Sequence, residues 1–248
     1  MTTTAQKAAS LAGRSKRYKA VAPTTDRTTL RSPAEAVALV KQAATAKFEE
    51  TVEAHIRTTV DPRKQNQPVR GVVALPHGLG KQVRVMVFAQ GDTLAAARQA
   101  GADYIGDEET IQKIERDGWS DFDVAIATPD VMGRIGRLGR VLGRKGLMPN
   151  PRTGTVVAAQ DIARSIDEAK RGRLEFRMDR TSIIHSPIGK RSFPDEQLVE
   201  NLATLLDAIN KARPEGVKGP LIKSLFLKST MGPSVKVDVE QASSVKTE

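Results

Sequence analysis

The chain has 248 residues, 39 Lys+Arg against 29 Asp+Glu, and a formal net charge of +10. With no cysteine it forms no disulfide, thiolate zinc site, iron–sulfur cluster or Cys nucleophile. Its three histidines, His55, His77 and His185, are far apart in sequence and no H-E-x-x-H occurs, which argues against a metalloenzyme. Hydrophobic residues make up 39%, enough for a packed core, but there are only 6 Phe, 2 Tyr and 1 Trp, so that core is built from Val, Ile, Leu and Ala. No apolar run approaches the ~18 residues of a membrane span, and the N-terminus lacks the continuous apolar stretch of a secretory signal. The excess of positive charge points towards polyanions.

Residues 1–25 carry Lys7, Arg14, Lys16, Arg17 and Lys19 and no acid. Such a segment is expected to be mobile, or to order only against a phosphate backbone, and an organelle transit peptide has a similar composition. Ser32-Pro33 then opens a helix, with Ser as N-cap, Pro at the first helical position and Glu35 in the first turn. Ala36, Val37, Leu39, Val40 and Ala43 form its apolar face. Over Phe48–Val60 the period changes to two: Phe48, Glu50, Val52, Ala54 and Ile56 share one side of a strand, Glu49, Thr51, Glu53 and His55 the other. Asp61-Pro62 ends it, 63–68 reads as a loop, and a second strand follows over Arg70–Leu75.

The texture changes near Pro76-His77-Gly78. Val83–Phe88 is a continuous apolar run, as in a strand covered on both faces. Helices are predicted over Thr93–Ala100, Glu108–Arg116, Asp130–Leu142 and Ile162–Lys170, with strands at Ala102–Ile105 and Phe122–Ala127. This alternation predicts a parallel sheet with helices packed against it. After Gly172 the pattern reverts. Leu174–Met178 and Ile183–His185 read as paired strands around Asp179–Ser182, Asp195–Ala212 as a long amphipathic helix, and Leu221–Lys228 and Val235–Val239 as final strands. The economical architecture is a discontinuous α+β outer domain with an α/β domain inserted into it.

Val131–Arg152 contains Arg134, Arg137, Arg140, Arg144, Lys145 and Arg152 with no acid among them. On a helix Arg137, Arg140 and Arg144 fall within roughly 60°. Val131, Ile135, Leu138, Val141 and Leu142 lie beside them, and glycines 133, 136, 139 and 143 largely opposite. The stripe is either a solvated basic face or a phosphate contact, since arginine forks match phosphate and glycine lets a backbone approach closely. Lys228-Ser229-Thr230-Met231-Gly232-Pro233 is either a plain strand-end turn or an RNA contact, in which hydroxyls meet ribose or phosphate and Met covers a base. Phe48, beside Lys47, reads from pattern as core, with an aromatic platform as the alternative.

Enzyme signatures fail. Gly78-Leu79-Gly80-Lys81-Gln82 has Leu75 and Gln82 where a phosphate loop needs Gly and Ser or Thr. Val83–Phe88 is followed by one glycine where a dinucleotide fold needs three. Asp107/Glu108/Glu109 and Asp121/Asp123 read as a helix N-terminus and a loop rather than a metal site.

The runs Ala46–Glu53, Val69-Arg70-Gly71 with Leu75–Lys81, Ala127–Met132, Gly146–Pro151, Phe193-Pro194 and Ser229–Ser234 together resemble the bacterial large-subunit ribosomal protein L-one family, in its order and spacing from about Arg14 to Val239. The resemblance implies two domains, α/β and α+β. A discontinuous split β-α-β outer domain (1–78 and 171–248) would bind RNA, and a Rossmann-like three-layer α/β domain (79–170) would be inserted without a dinucleotide. It further implies a structural, non-enzymatic constituent of the large ribosomal subunit in the cytoplasm, with no membrane association, cofactor or metal, and monomeric when free. The expected partners are the ribosomal RNA stalk near the exit site, deacylated transfer RNA leaving that site, and the protein's own operon messenger, which it would repress.

Phe48 and Thr230-Met231-Gly232 match the family's main RNA contacts, and Ser224 and Lys47 match supporting ones. Lys64, Ser229 and Lys228 extend the same surface. Arg137, Arg140 and Arg144 are a separate candidate contact for transfer RNA. The chain departs from the family at Gly143-Arg144-Lys145-Gly146, where the usual order is Gly-Pro-Arg-Gly. The competing reading is an RNA-acting or nucleotide-dependent enzyme using the inserted α/β segment.

Overall fold

The computed structural model describes residues 13–26, 28–62 and 69–245, with the side chains of Thr24, Asp92 and Arg152 left aside. The elements in chain order are α1 (Lys16–Val21), α2 (Pro33–Ala43), β1 (Thr51–Thr58), β2 (Arg70–Ala74), β3 (Val85–Phe88), α3 (Asp92–Gln99), β4 (Tyr104–Ile105), α4 (Glu108–Asp117) and β5 (Val124–Ala127). They continue with α5 (Met132–Ile135), α6 (Gly139–Leu142), α7 (Ile162–Lys170), β6 (Arg173–Arg177), β7 (Ile183–Lys190), α8 (Asp195–Lys211), β8 (Ile222–Ser229), β9 (Ser234–Val237) and α9 (Val239–Ser244). Contacts divide the chain into two compact units, residues 1–80 with 176–248, and residues 81–175.

In the first unit, β7-β1-β8-β9 form an antiparallel sheet. Strict alternation gives it two unlike faces. Val52, Ala54 and Ile56 of β1, Leu225 and Leu227 of β8, Val235 and Val237 of β9 and Ile184 and Ile188 of β7 are buried beneath α2 and α8. Glu53, His55 and Arg57 lie on the opposite face, where they pair with Lys228, Phe226 and Ser224 of β8. Ser32 caps α2 as its sequence predicts, its hydroxyl accepting from the Glu35 N–H at 3.4 Å, with Pro33 opening the helix. The fully buried Asn201 of α8 accepts from the His77 N–H at 3.2 Å and donates to the carbonyls of Gly78 (3.0 Å) and Ile188 (2.8 Å), so a buried amide is fully used. Gly71 of β2 lies against Phe176, where a Cβ would come within 2.7 Å of the ring.

In the second unit β4-β3-β5 is a parallel sheet. All four residues of β3 are buried, which explains its unbroken apolar run. Val85 and Val87 face Ala97 of α3 and Ile162, Ile166 and Ala169 of α7. Met86 and Phe88 face Ile111 and Ile114 of α4 together with Ile135, Leu138 and Leu142. Helices therefore cover both faces of the sheet.

Four expectations change. The helix expected over Asp130–Leu142 is instead a chain of short pieces, in which 3-10 turns at Pro129–Val131 and Gly136–Leu138 alternate with α5 and α6. Glycine at positions 133, 136 and 139 weakens α-helix, and a built Cβ meets nothing within 4 Å at any of the three, so no packing contact compensates. The segments expected to pair around Asp179–Ser182 share only a bridge at Met178↔Ile184. The Asp179 carboxylate gathers the N–H groups of Thr181 and Ile183, both at 2.8 Å, and the strands then diverge, β6 to β2 and β7 to β1. The expected final strand stops at Val237, where Asp238 caps α9 by accepting from the N–H groups of Glu240 and Gln241. From Gly13 onward, the N-terminal segment forms α1 and a following 3-10 turn.

Among the described residues, His55 in the middle of β1 is held far from its ordinary value. Its Nδ1 lies 2.6 Å from Nδ1 of His185, so one ring must donate and the other accept, and its Nε2 is buried without a hydrogen-bond partner. Burial, then the positive charges of a protonated His185 and of Lys228, push it down to about 4 from 6.5. Between those values the unfolded chain binds a proton that the folded chain does not, so stability falls as pH drops from 6.5 towards 4, by at most on the order of 3 kcal/mol. Urea unfolding at both ends of this window should show a smaller acid loss in His55→Gln than in wild type. Identical losses would exclude His55 as the source.

Candidate nucleic-acid interface

Lys47, Phe48, Lys228, Thr230, Met231 and Gly232 meet where β1 begins and β8 ends, whereas Ser224 lies near the start of β8, opposite Arg57. Antiparallel pairing of Val52 with Ser229 brings the loop before β1 beside the turn after β8. The Thr230 N–H donates to the Thr51 carbonyl at 3.0 Å, and the Thr51 N–H donates to Thr230 Oγ1, also at 3.0 Å. The Thr230 hydroxyl in turn faces the Thr51 carbonyl at 3.3 Å. It is thus bound into the junction and holds the turn in place.

Glu50 closes the junction. It is fully buried, one oxygen accepting from the Ala46 N–H at 2.8 Å and the other from the Met231 N–H at 2.9 Å. Burial by itself would raise its carboxyl, but the two backbone donors, the Ser229 hydroxyl and the positive charge of Arg17 outweigh it and hold the group below its ordinary value. Arg17 of α1 adds a clasp from outside, its fork donating to the Met231 carbonyl at 3.1 Å and to Thr45 Oγ1 at 3.2 Å. Both peptide polar groups of Met231 are therefore held by side chains.

This framework presents two large apolar side chains to solvent. Phe48 is 54% exposed and Met231 51% exposed, although both chain segments are tied to buried structure. Phe48 is therefore not the core residue that alternation suggested. Regular strand begins at Thr51, so residues 47–49 leave the sheet before Phe48 could turn inward. Gly232 sits tightly under the turn, where a Cβ would fall 2.3 Å from Ser229 Oγ. Lys47 is exposed, and Lys228 and Ser224 occupy the open face of β8, Lys228 3.8 Å from Glu53.

Ser229 corrects an expectation. It is fully buried, because the alternation of β8 turns it inward with Leu225 and Leu227, and its side chain cannot meet a ligand. Lys64 lies outside the described residues. Arg137, Arg140 and Arg144 are exposed in the unit of residues 81–175, distributed over short turns rather than along one helix. Arg137 lies 3.7 Å from Glu115, and Arg134 3.4 Å from Glu108. Such exposed pairs hold little energy and leave the region basic.

The sequence reading passes over Glu50 and Tyr18, whereas Arg14 and Arg17 belong to the acid-free segment expected to be mobile or to order only against a phosphate backbone. For Glu50 a signal existed, an acid in phase with Val52, Ala54 and Ile56 on the buried side of a strand. No cluster of three or more His, Asp or Glu able to hold a metal occurs among the described residues, and no described helix is long and apolar enough to cross a membrane. The arrangement offers exposed stacking and covering groups on a rigid support, with cations around them, which suits unpaired or splayed nucleotides.

The carboxylate of Glu50 can satisfy both N–H donors, whereas an amide in its place turns an NH2 towards one of them. Glu50→Gln should lower stability in urea unfolding at neutral pH by about 1–3 kcal/mol. Because the Glu50 carboxyl is lowered, its contribution is present above the ordinary carboxylate range and is lost as pH falls through its folded value, so the gap to the variant should narrow in acid. An unchanged midpoint at neutral pH would show that the junction does not need the charge.

The model of the ribosomal protein L1p/L10e family matches residues 40–233. The large ribosomal subunit protein uL1 of Chloroflexus aurantiacus (strain ATCC 29366 / DSM 635 / J-10-fl) is 55% identical over 231 residues, covering 93% of this chain and 98% of its own length. That of Chloroflexus aggregans (strain MD-66 / DSM 9485) is 54% identical over the same span. A match over most of the chain, at this identity and with nearly the full length of the relatives covered, shows that the chain belongs to the ribosomal protein L1p/L10e family.

Proposed function

We propose that this chain is a constituent of the large ribosomal subunit that binds ribosomal RNA through the junction of β1 and β8. As a member of its family it is a structural protein and not an enzyme. The observation that carries the RNA reading is the pair of half-exposed apolar side chains, Phe48 and Met231, on loops anchored by the buried Glu50. Exposed large side chains on anchored loops are prepared for a partner and lose little freedom on meeting it. Phe48 supplies a stacking face and Met231 a covering one, Gly232 lets a backbone approach, and Lys47, Lys228 and Ser224 reach phosphate or ribose.

In the finer reading, the RNA is the stalk beside the exit site and the protein assists the departure of deacylated transfer RNA. Arg137, Arg140 and Arg144 on the inserted domain then offer the transfer-RNA contact; among the described residues Arg140 and Arg144 have no ion pair that would compete. The same outer surface would accept a similar fold in the protein's own messenger and so repress translation. The outer domain, residues 1–78 and 171–248, would carry the RNA site, and residues 79–170 would form the inserted domain. The place of action is the ribosome in the cytoplasm.

Binding of wild type and variants to a transcript of the large-subunit ribosomal RNA stalk tests this reading. Met231→Ala and Phe48→Ala should each lower affinity about fivefold or more, in line with ~1–3 kcal/mol per stacked base, while leaving the unfolding midpoint unchanged because both side chains are exposed. Wild-type affinity in both variants would refute the site. Wild-type affinity should also fall steeply with added salt as counterion release weakens.

A further inference from the structure

Beside the junction, α1 and the turn after β8 enclose an open cavity of about 470 Å³, within the size range of small-molecule sites. Its walls include Arg14, Arg17 and Tyr18 from the N-terminal segment and Lys228, Thr230 and Met231 from the strand end. Three of these residues are cations and none of the lining residues is acidic. The wall is held by internal contacts. Ser15 caps α1 by accepting from the Tyr18 N–H at 3.3 Å, Arg17 bridges to Met231 and Thr45, and the Arg14 guanidinium lies 5.2 Å from the centre of the Tyr18 ring. Arg17 has its fork committed, and Lys228 is shared with Glu53 at 3.8 Å. Arg14 rests on a neutral ring and has no ion pair among the described residues.

We propose that this cavity takes a backbone phosphate of the bound RNA, with Arg14 as the principal ligand and Lys228 supporting it. The inference rests on the RNA site proposed above, because the cavity shares Lys228, Thr230 and Met231 with that site. An open, acid-free recess lined by three cations attracts an anion, and a guanidinium fork matches the oxygens of a phosphate. A chain whose nucleotide covers Met231 must pass its backbone to one side, and the cavity opens there. The N-terminal segment then acts as the second jaw of the site, already folded and attached through Arg17 before RNA arrives.

The experiment measures affinity for the same stalk transcript between ~50 and ~200 mM salt for wild type, Arg14→Gln, Arg14→Lys and Met231→Ala. A phosphate ligand predicts that Arg14→Gln binds severalfold more weakly and that its slope of log affinity against log salt is shallower by about one, with Arg14→Lys recovering most of that slope. A role for Arg14 limited to packing on Tyr18 would leave the slope unchanged. Wild-type affinity and slope in Arg14→Gln, with binding lost in Met231→Ala, would overturn the cavity proposal and leave the RNA site standing. Wild-type binding by both Arg14→Gln and Met231→Ala would overturn the two together.

Discussion

A carboxylate without water must be paid back in hydrogen bonds, and Glu50 receives that compensation from two backbone donors on separate segments. Because Ala46 precedes β1 and Met231 follows β8, satisfying one side chain fixes the relative position of both strand ends. The exposed residues inherit this order. Phe48 lies between Ala46 and Glu50, and Met231 donates its own N–H, so neither loop can drift without leaving a buried charge uncompensated. Thr230 and Arg17 reinforce the same junction from either side, one through the β1 backbone and the other through the Met231 carbonyl. A hydrophobic residue at position 50 would pack as well as its neighbours in the strand, but it would leave the loops without a reason to meet.

Much of the fold was legible because local chemistry and burial agreed. Ser32-Pro33-Ala34-Glu35 announces a helix start by capping alone, Val52, Ala54 and Ile56 announce a half-buried strand, and the unbroken run into Phe88 announces a strand covered on both faces. The failures have a common cause in tertiary context. Residues 16–21 are too charged and too short to promise a helix by themselves, and α1 gains its support from Arg17 reaching residues 28 and 214 positions away in sequence. The run after Pro129 has an amphipathic period, but glycine every third residue lets the backbone tighten into 3-10 turns while the apolar side chains still reach the sheet.

The site was legible in its exposed parts and hidden in its supports. Met231 and Gly232 stand in a turn whose composition already suits RNA, and Phe48 stood as a choice between core and platform that only the end of regular pairing at Thr51 decides. Ser229 shows the limit of reading a site as a contiguous string. One step along a strand turns a side chain through the sheet, so Ser229, beside the exposed turn, belongs to the interior. The net positive charge of the chain belongs almost wholly to the first unit, the unit of residues 81–175 carrying nearly as many acids as bases despite its arginines, while the groups best shaped for recognition at the junction are uncharged.

The scarcity of aromatic residues has an optical consequence. The only tryptophan, Trp119, belongs to the unit of residues 81–175, where its ring stands edge-on to Tyr104 at 5.1 Å, with Phe122 at 5.9 Å and the Lys113 ammonium 4.9 Å from its centre. The only other tyrosine, Tyr18, belongs to the first unit and lines the cavity under Arg14. Indole emission therefore reports on one unit alone. Tyr104, in contact with the indole, transfers its excitation there. The unmodified chain thus carries a separate intrinsic fluorophore in each of its units, one half-buried against a core and one on the wall of a charged cavity.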